Sequence, residues 1–408
     1  MIKFDLKNLH KIPSAQKPLI KKFLKKIAEK KQGFSEILND KKTLYQINSF
    51  AKKIEGKFSY IVVLGIGGSA LGTICLQQSL KHLFGNELKN LKTPKLYVID
   101  NIDPILIKEL EDIIDYKKTL FIVISKSGET IETLSQYSHF RKNCENKKLD
   151  IKKHFVFVTD AKNGELRKIA DKEKITSFRI PGNVSGRFSV LTAVGLLPAR
   201  LIGIKIEKLL AGAKKMRKKF LSDSIKENQP FVLASIQFLL KKTMTVLMPY
   251  SQKLIKFTDW HRQLLAESIG KKFNNNGKIV NTGITPINAL GVTDQHSQLQ
   301  LYNEGPNDKL IIFIEIEKHE KNIFGKLLKI EKNATEQSLA KNNRPNITIS
   351  INSLTEETLG ELLMLFMCET AFLGEFFEIN AFDQPGVELS KKLIDRNFAK
   401  QNTLSTKI

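Results

Sequence analysis

The sequence predicts an α/β protein of two units, each a parallel-rich sheet flanked by helices in three αβα layers. Three observations predict it. Apolar, β-branched runs alternate with amphipathic helical patterns, as buried parallel strands and their crossovers do. The alternation occurs twice, with a lysine-rich helical stretch between. A chain of 408 residues is also too long for one small core and short for three.

In chain order, residues 1–40 are expected to open the chain as helix. In "KKFLKKIAEKK" apolar residues return every three or four positions, so one face can pack while the lysines stay solvated. Residues 41–186 carry "YIVVLG", "KLYVID", "TLFIVIS", "HFVFVTD" and "TSFRI", the strands of a first unit. Sites in such folds sit at the carboxyl ends of strands. Residues 187–227, through "FSVLTAVGLLPARLIG" and "AGAKKMRKKF", are expected as a helical connector. Residues 228–380 hold the strand candidates "TMTVLMPY", "LIIFIEIE" and "NITISI", then an apolar helix from about Glu356 to Phe377. Residues 381–408 turn around Asp383 to Gly386 and enter a helix bearing Lys391 and Lys392.

The net charge of +24 points first to an anionic partner, a nucleic acid or a phosphorylated small molecule. The charges are spread over solvated helix faces, and no zinc-finger spacing or RNA-recognition signature accompanies them, so nucleic acid is not expected. Cys75, Cys144 and Cys368 are odd in number and lack CxxC spacing, which fits a reducing compartment. The start "MIKFDLKNLHKIPS" has no apolar core of a signal peptide, and no run approaches the ~18 apolar residues of a membrane span. A cytoplasmic protein without membrane contact is expected.

Two strand ends carry loops suited to phosphate. "VVLGIGGSALG" places Gly65, Gly67 and Gly68 directly after a strand and Ser69 at a helix start, where the backbone can approach an oxyanion and free amides point at it. The same residues satisfy a GxGxxG/A dinucleotide pattern, with Asp100 ending the next strand, so a nicotinamide site is a competing reading. "SKSGETIET" bears on that choice. Ser125, Ser127 and Thr130 can donate to phosphate oxygens, Lys126 adds charge and Gly128 permits a tight turn. Helix capping accounts for one of these hydroxyls, not three. Two converging loops suit one compact phosphate better than a pyrophosphate.

Acid–base candidates lie in the second half. In "DWHRQLLAESIGKK", Gln263 and Glu267 share a helix face and Gly270 is placed to end the helix. The negative end of the helix dipole suits a proton acceptor there. An ordinary surface glutamate is the alternative. In "GVTDQHSQLQLYNEGPND", Thr293 is expected as N-cap, Gly305 and Pro306 as the stop, and His296 in the first turn as a proton-exchanging group. His10, His82, His139, His154 and His319 are expected only to pack locally. No histidine pair has HExxH spacing, so no metal is expected. Taken alone, Arg187 in "NVSGRFSV" and the lysines of "NAFDQPGVELSKKL" read as surface cations.

Together, "GIGGSALG", "SKSGETIET", "SGRFSVLTAVG", "QLLAESIGK", "QHSQLQL" and "FDQPGVELSKKL" resemble the glucose-6-phosphate isomerases, a family built from two SIS (sugar isomerase) domains. The segments occur in the family's order between residues 65 and 392. The resemblance implies reversible conversion of D-glucose 6-phosphate and D-fructose 6-phosphate, in glycolysis and gluconeogenesis, through a cis-enediolate and without a cofactor. It implies that Gly68, Ser69, Ser125, Lys126, Ser127 and Thr130 hold the sugar phosphate. Glu267 would be the base, Arg187 would stabilise the intermediate, and His296 and Lys391 would open the sugar ring. Gln263 and Gln384 would contact substrate. In the family the histidine comes from the neighbouring subunit, so a homodimer with shared active sites is implied. Pro385 and Ser390 stand where an aromatic and a glycine are common. Two further readings are an isomerase that also accepts mannose 6-phosphate and a non-catalytic sugar-phosphate regulator. The full set of Glu267, His296, Arg187 and Lys391 favours an enzyme.

Overall fold

The computed structural model describes residues 2–9, 17–318 and 320–405. His10 and His319, expected to pack locally, lie outside them. After a short strand β1 (Lys3–Asp5), the first sheet is built from β2 (Tyr60–Leu64), β3 (Lys95–Ile99), β4 (Thr119–Ser125), β5 (Phe155–Thr159) and β6 (Ser177–Arg179). Their spatial order is β3-β2-β4-β5-β6, and every pairing is parallel. Strand β4 shows why both faces carry helices. Leu120, Ile122 and Ile124 enter one core cluster while Phe121 and Val123 enter another, the two-residue alternation of a strand buried on both sides.

The second sheet contains β7 (Met244–Pro249), β10 (Thr285–Asn288), β11 (Lys309–Ile316) and β12 (Asn346–Ile351), in the order β1-β12-β11-β7-β10. Its pairings are parallel except for β1, which runs antiparallel to β12. Between β7 and β10, strands β8 (Lys271–Phe273) and β9 (Ile279–Thr282) form a separate antiparallel ribbon.

Strand β1 corrects the expectation that the opening is helical throughout. Among the described residues of this stretch the α-helix spans Lys17–Glu29, where Ile20, Phe23 and Ile27 are buried as its periodicity requires. Lys3, Phe4 and Asp5 instead pair with Ser350, Ile349 and Thr348. The next turn is pinned by polar contacts: Lys7 lies 3.2 Å from buried Glu336, and the Asn8 amide donates to Glu336 and to Asn346.

One continuous core joins a face of each sheet, taking in Ile61, Val63 and Ile122 from the first and Ile312, Ile314 and Ile349 from the second. The helix Glu356–Phe376 belongs to the same core and is buried around its circumference. It crosses the helix Ile206–Phe220 backbone to backbone. A Cβ on Gly212 would lie 1.8 Å from the Glu357 carbonyl oxygen, and one on Gly360 would lie 2.0 Å from that of Leu209. Only glycine allows such an approach. Cys75, Cys144 and Cys368 are free and buried. Among the described residues no helix is long and apolar enough to cross a membrane.

Candidate active site

Strands β2 and β4 pair directly, with Leu64 opposite Val123, so the two loops leave the same carboxyl edge side by side. The first turns through Gly67–Ser69, with Gly67 at φ +57°. Gly68 is wedged against the backbone of Gly186 and Arg187, and a Cβ on Gly67 would lie 3.0 Å from the Gln263 amide nitrogen. Ser69 is partly exposed and precedes the helix Leu71–Leu80, whose first amides have no intrahelical acceptor.

In the second loop the Ser125 hydroxyl is buried, accepts the Gly128 N–H at 3.1 Å and lies 2.9 Å from the Thr130 hydroxyl. Ser127 Oγ accepts the Glu129 N–H at 3.2 Å. Local bonding thus engages all three hydroxyls, whereas capping was expected to explain one. Thr130 does occupy the N-cap of the helix Ile131–Asn146, but its side chain makes no cap bond. Each hydroxyl both donates and accepts. Exposed Ser127 therefore keeps its O–H to donate, and one proton of the Ser125–Thr130 pair is also left over. Gly128 sits at φ +69°, which this tight turn requires. Lys126 donates to the Gly182 carbonyl at 2.8 Å; burial lowers its pKa and nearby Asp160 opposes the shift.

Glu267 lies in the last turn of the helix Ile255–Ile269, which ends at Gly270 as expected. Its Oε2 accepts from Gln263 at 3.1 Å, the contact their four-residue spacing predicts. Its Oε1 is 3.6 Å from Nη1 of Arg187. Arg187, which reads as a surface cation in isolation, is 3% exposed. Its Nε donates to Ser268 Oγ at 2.7 Å, Nη1 to Gln384 Oε1 at 3.0 Å, and Nη2 to the carbonyls of Ala381 and Asp383 at 2.8 and 2.9 Å. A guanidinium has five N–H groups. The fifth is on Nη1, the nitrogen that faces Glu267. Burial lowers the pKa of Arg187, and Glu267 and Asp383 counter that shift.

Lys271 carries no signal of its own in the sequence. Just past a helix end, a lysine normally reads as solvated. Here it is 8% exposed, and its ammonium donates at 2.9 Å to the carbonyls of both Glu267 and Asp383.

Thr293 is not the expected N-cap. It begins a single 3₁₀ turn, Thr293–Gln295, that His296 closes, and the helix Leu299–Glu304 starts only afterwards. His296 therefore does not lie in the expected first turn of that helix, although Gly305 stops the helix as expected. The His296 ring is exposed on a loop anchored by Gln295, which accepts from Tyr250 at 2.6 Å and donates to Glu331 at 2.9 Å. Lys391 is exposed on the helix Glu388–Ser405 and donates to Glu388 at 2.9 Å. Among the described residues, no hydrogen bond or ion pair joins His296 or Lys391 to the Glu267–Arg187 cluster. Gln384 joins it through Arg187.

The family model for phosphoglucose isomerase matches residues 35–341 and 317–408. The glucose-6-phosphate isomerase of Carboxydothermus hydrogenoformans is 45% identical over 374 residues, 85% of this chain and 80% of that protein. Among solved structures, a hypothetical protein of Thermus thermophilus superimposes with a TM-score of 0.89 at 33% identity, covering 98% of this chain and 100% of the other. A glucose-6-phosphate isomerase of Chlamydia trachomatis does so with a TM-score of 0.80 at 27% identity, over 89% and 74%. The family match takes in both loops, the Glu267–Arg187 cluster and the 381–384 segment that wraps it, and the chain belongs to the phosphoglucose isomerase family.

Proposed function

We propose that this chain interconverts D-glucose 6-phosphate and D-fructose 6-phosphate, with Glu267 moving the proton between C2 and C1. The observation that carries this reading is one carboxylate held by an amide on one side and facing, on the other, the guanidinium N–H of buried Arg187 that has no hydrogen bond among the described residues. The phosphate is assigned to the two adjacent loops, through Ser69, Lys126, Ser127 and Thr130, with Gly68 and Ser125 shaping them. Binding energy from this remote group orients the reacting carbons.

The cyclic sugar opens first, a step assigned to His296 and Lys391. The exposed His296 ring serves the site of a second copy in a homodimer. In the open-chain aldose Glu267 removes the C2 proton; the C–H pair becomes the C1=C2 bond, and the carbonyl pair moves onto O1. The O2 proton then passes to O1, Glu267 returns its proton to C1, and the C2 carbonyl closes the sequence. No electrons leave the sugar. Charge on the cis-enediolate oxygens is stabilised by Arg187, whose remaining Nη1 hydrogen points to the carboxylate's side of the site.

The test is a coupled assay that follows glucose 6-phosphate formed from fructose 6-phosphate, with wild type beside Glu267→Gln. A general base contributes about 10²–10⁴-fold, so the variant should lose kcat by that factor with little change in KM. A folded variant with near-normal turnover would show that another group takes the proton.

A further inference from the structure

We propose that Lys271 is a positioning residue for the base: its buried ammonium ties the backbone of Glu267 to the 381–384 segment and thereby fixes where the carboxylate meets substrate. This rests on the assignment of Glu267 above.

The carbonyls of a helix's last turn lack intrahelical amide partners. In this helix the Ala266 carbonyl is taken by the Gly270 N–H, and the Glu267 carbonyl by Lys271 Nζ. A cation there also complements the negative end of the helix dipole. Capping alone, however, would leave the lysine solvated, as it is on most helices. Lys271 instead turns inward to the Asp383 carbonyl, which also accepts from Arg187 Nη2, both at 2.9 Å. A closed ring results. It runs from the Glu267 backbone through Lys271 to the Asp383 carbonyl, on to Arg187, and back to the Glu267 carboxylate at 3.6 Å. The same carbonyl therefore anchors the group that holds the base's main chain and the group that faces its side chain.

The arrangement is expensive for the fold. Burial pulls the Lys271 pKa down, the Arg187 charge pulls it further, and Asp383 and Glu267 only partly offset this. An apolar side chain of similar size would cost less than a second buried cation beside Arg187. Stability alone gives no reason for lysine here. Its two backbone bonds give one, because they set the height of the helix end against the segment that presents Gln384 to Arg187.

Lys271→Met keeps the length and removes the charge and all three donors. Because displacing a reacting group by ~1 Å costs about 10²-fold, kcat should fall by about that factor. KM and competitive inhibition by inorganic phosphate should each stay within about threefold, since the phosphate loops are untouched. Lys271→Arg, which keeps charge and donors, should recover at least about tenfold of the lost kcat. The proposal is overturned by a folded methionine variant with kcat within about threefold of wild type, by a loss confined to KM, or by equal losses in the methionine and arginine variants. Should Lys271→Met not fold, Lys271→Gln is judged by the same criteria, and collapse of both marks a purely structural anchor and overturns it too. A wild-type chain inactive on both sugar phosphates would remove the reaction and this role together, whereas an active wild type beside an unaffected variant removes the role of Lys271 alone.

Discussion

Substituting Gly68 by alanine tests whether the first loop must touch the arginine-bearing segment. The added Cβ would stand 2.3 Å from the Gly186 carbonyl carbon, 2.4 Å from its oxygen and 2.8 Å from the Arg187 nitrogen. Carbon atoms in contact sit about 3.5–4.0 Å apart, so the two backbones must part by roughly 1 Å. Arg187 is held by four hydrogen bonds within the protein, so the glycine loop is the side that gives, carrying Ser69 with it. A shift of that size in a positioning group costs about 10²-fold, or about 2.7 kcal/mol, in kcat/KM. The strain should also lower stability by about 1–3 kcal/mol. Both follow from one set of preparations, by the coupled isomerase assay and a urea melt. Gly85→Ala is the control, because among the described residues its Cβ would meet only His82 Cβ, at 3.9 Å. If Gly68→Ala keeps kcat/KM within about threefold of wild type, close approach of these backbones is not what the site needs.

Two further outcomes are expected. Glu369 is fully buried in the helix Glu356–Phe376, hydrogen-bonded with Gln237 and Thr370, and burial pushes its pKa up to about 8 from 4.5. The folded state therefore holds a proton that the unfolded chain releases above pH 4.5. Its stabilising contribution is complete below that pH and is lost as pH rises through about 8, by about 5 kcal/mol at most. Glu369→Gln should flatten the fall in urea-melt stability between pH 5 and 8, and an unchanged slope would show that Glu369 is not its source. Secondly, if the +24 charge speeds capture of an anionic sugar phosphate, kcat/KM should drop about threefold or more between roughly 10 and 300 mM salt, with kcat unchanged. A flat profile would refute steering.

Much of the fold is legible because buried parallel strands announce themselves. "TLFIVIS" can hide seven successive residues only between two helical layers, and β4 does so. The strands that carry no such signal lack it for stated reasons. Strand β1 is three residues long, with a lysine and an aspartate, and exists only because β12 offers an open edge. Strand β9 is largely exposed, so no burial pattern marks it. The environment of His296 differs from expectation because a threonine before a polar run resembles an N-cap. Here its hydroxyl caps nothing and the helix begins later.

The site divides along a different line. Gln263 and Glu267 are legible from spacing, since a helix alone brings them together. Arg187 and Lys271 are not, because their neighbours in sequence do not by themselves bury them. Both are covered by Ala381 to Gln384, more than a hundred residues away in the chain, and this segment neutralises them mainly with backbone carbonyls. A carbonyl is present at every residue, so no pattern of side chains can announce that use of it. Family resemblance supplies Arg187 and passes over Lys271, whose polar partners among the described residues are two main-chain carbonyls and the Asp383 carboxylate. The two cations nevertheless meet at one oxygen, that of Asp383. Anything that moves this oxygen must move the Arg187 guanidinium and the helix end carrying Glu267 together, and only the folded chain reveals that coupling.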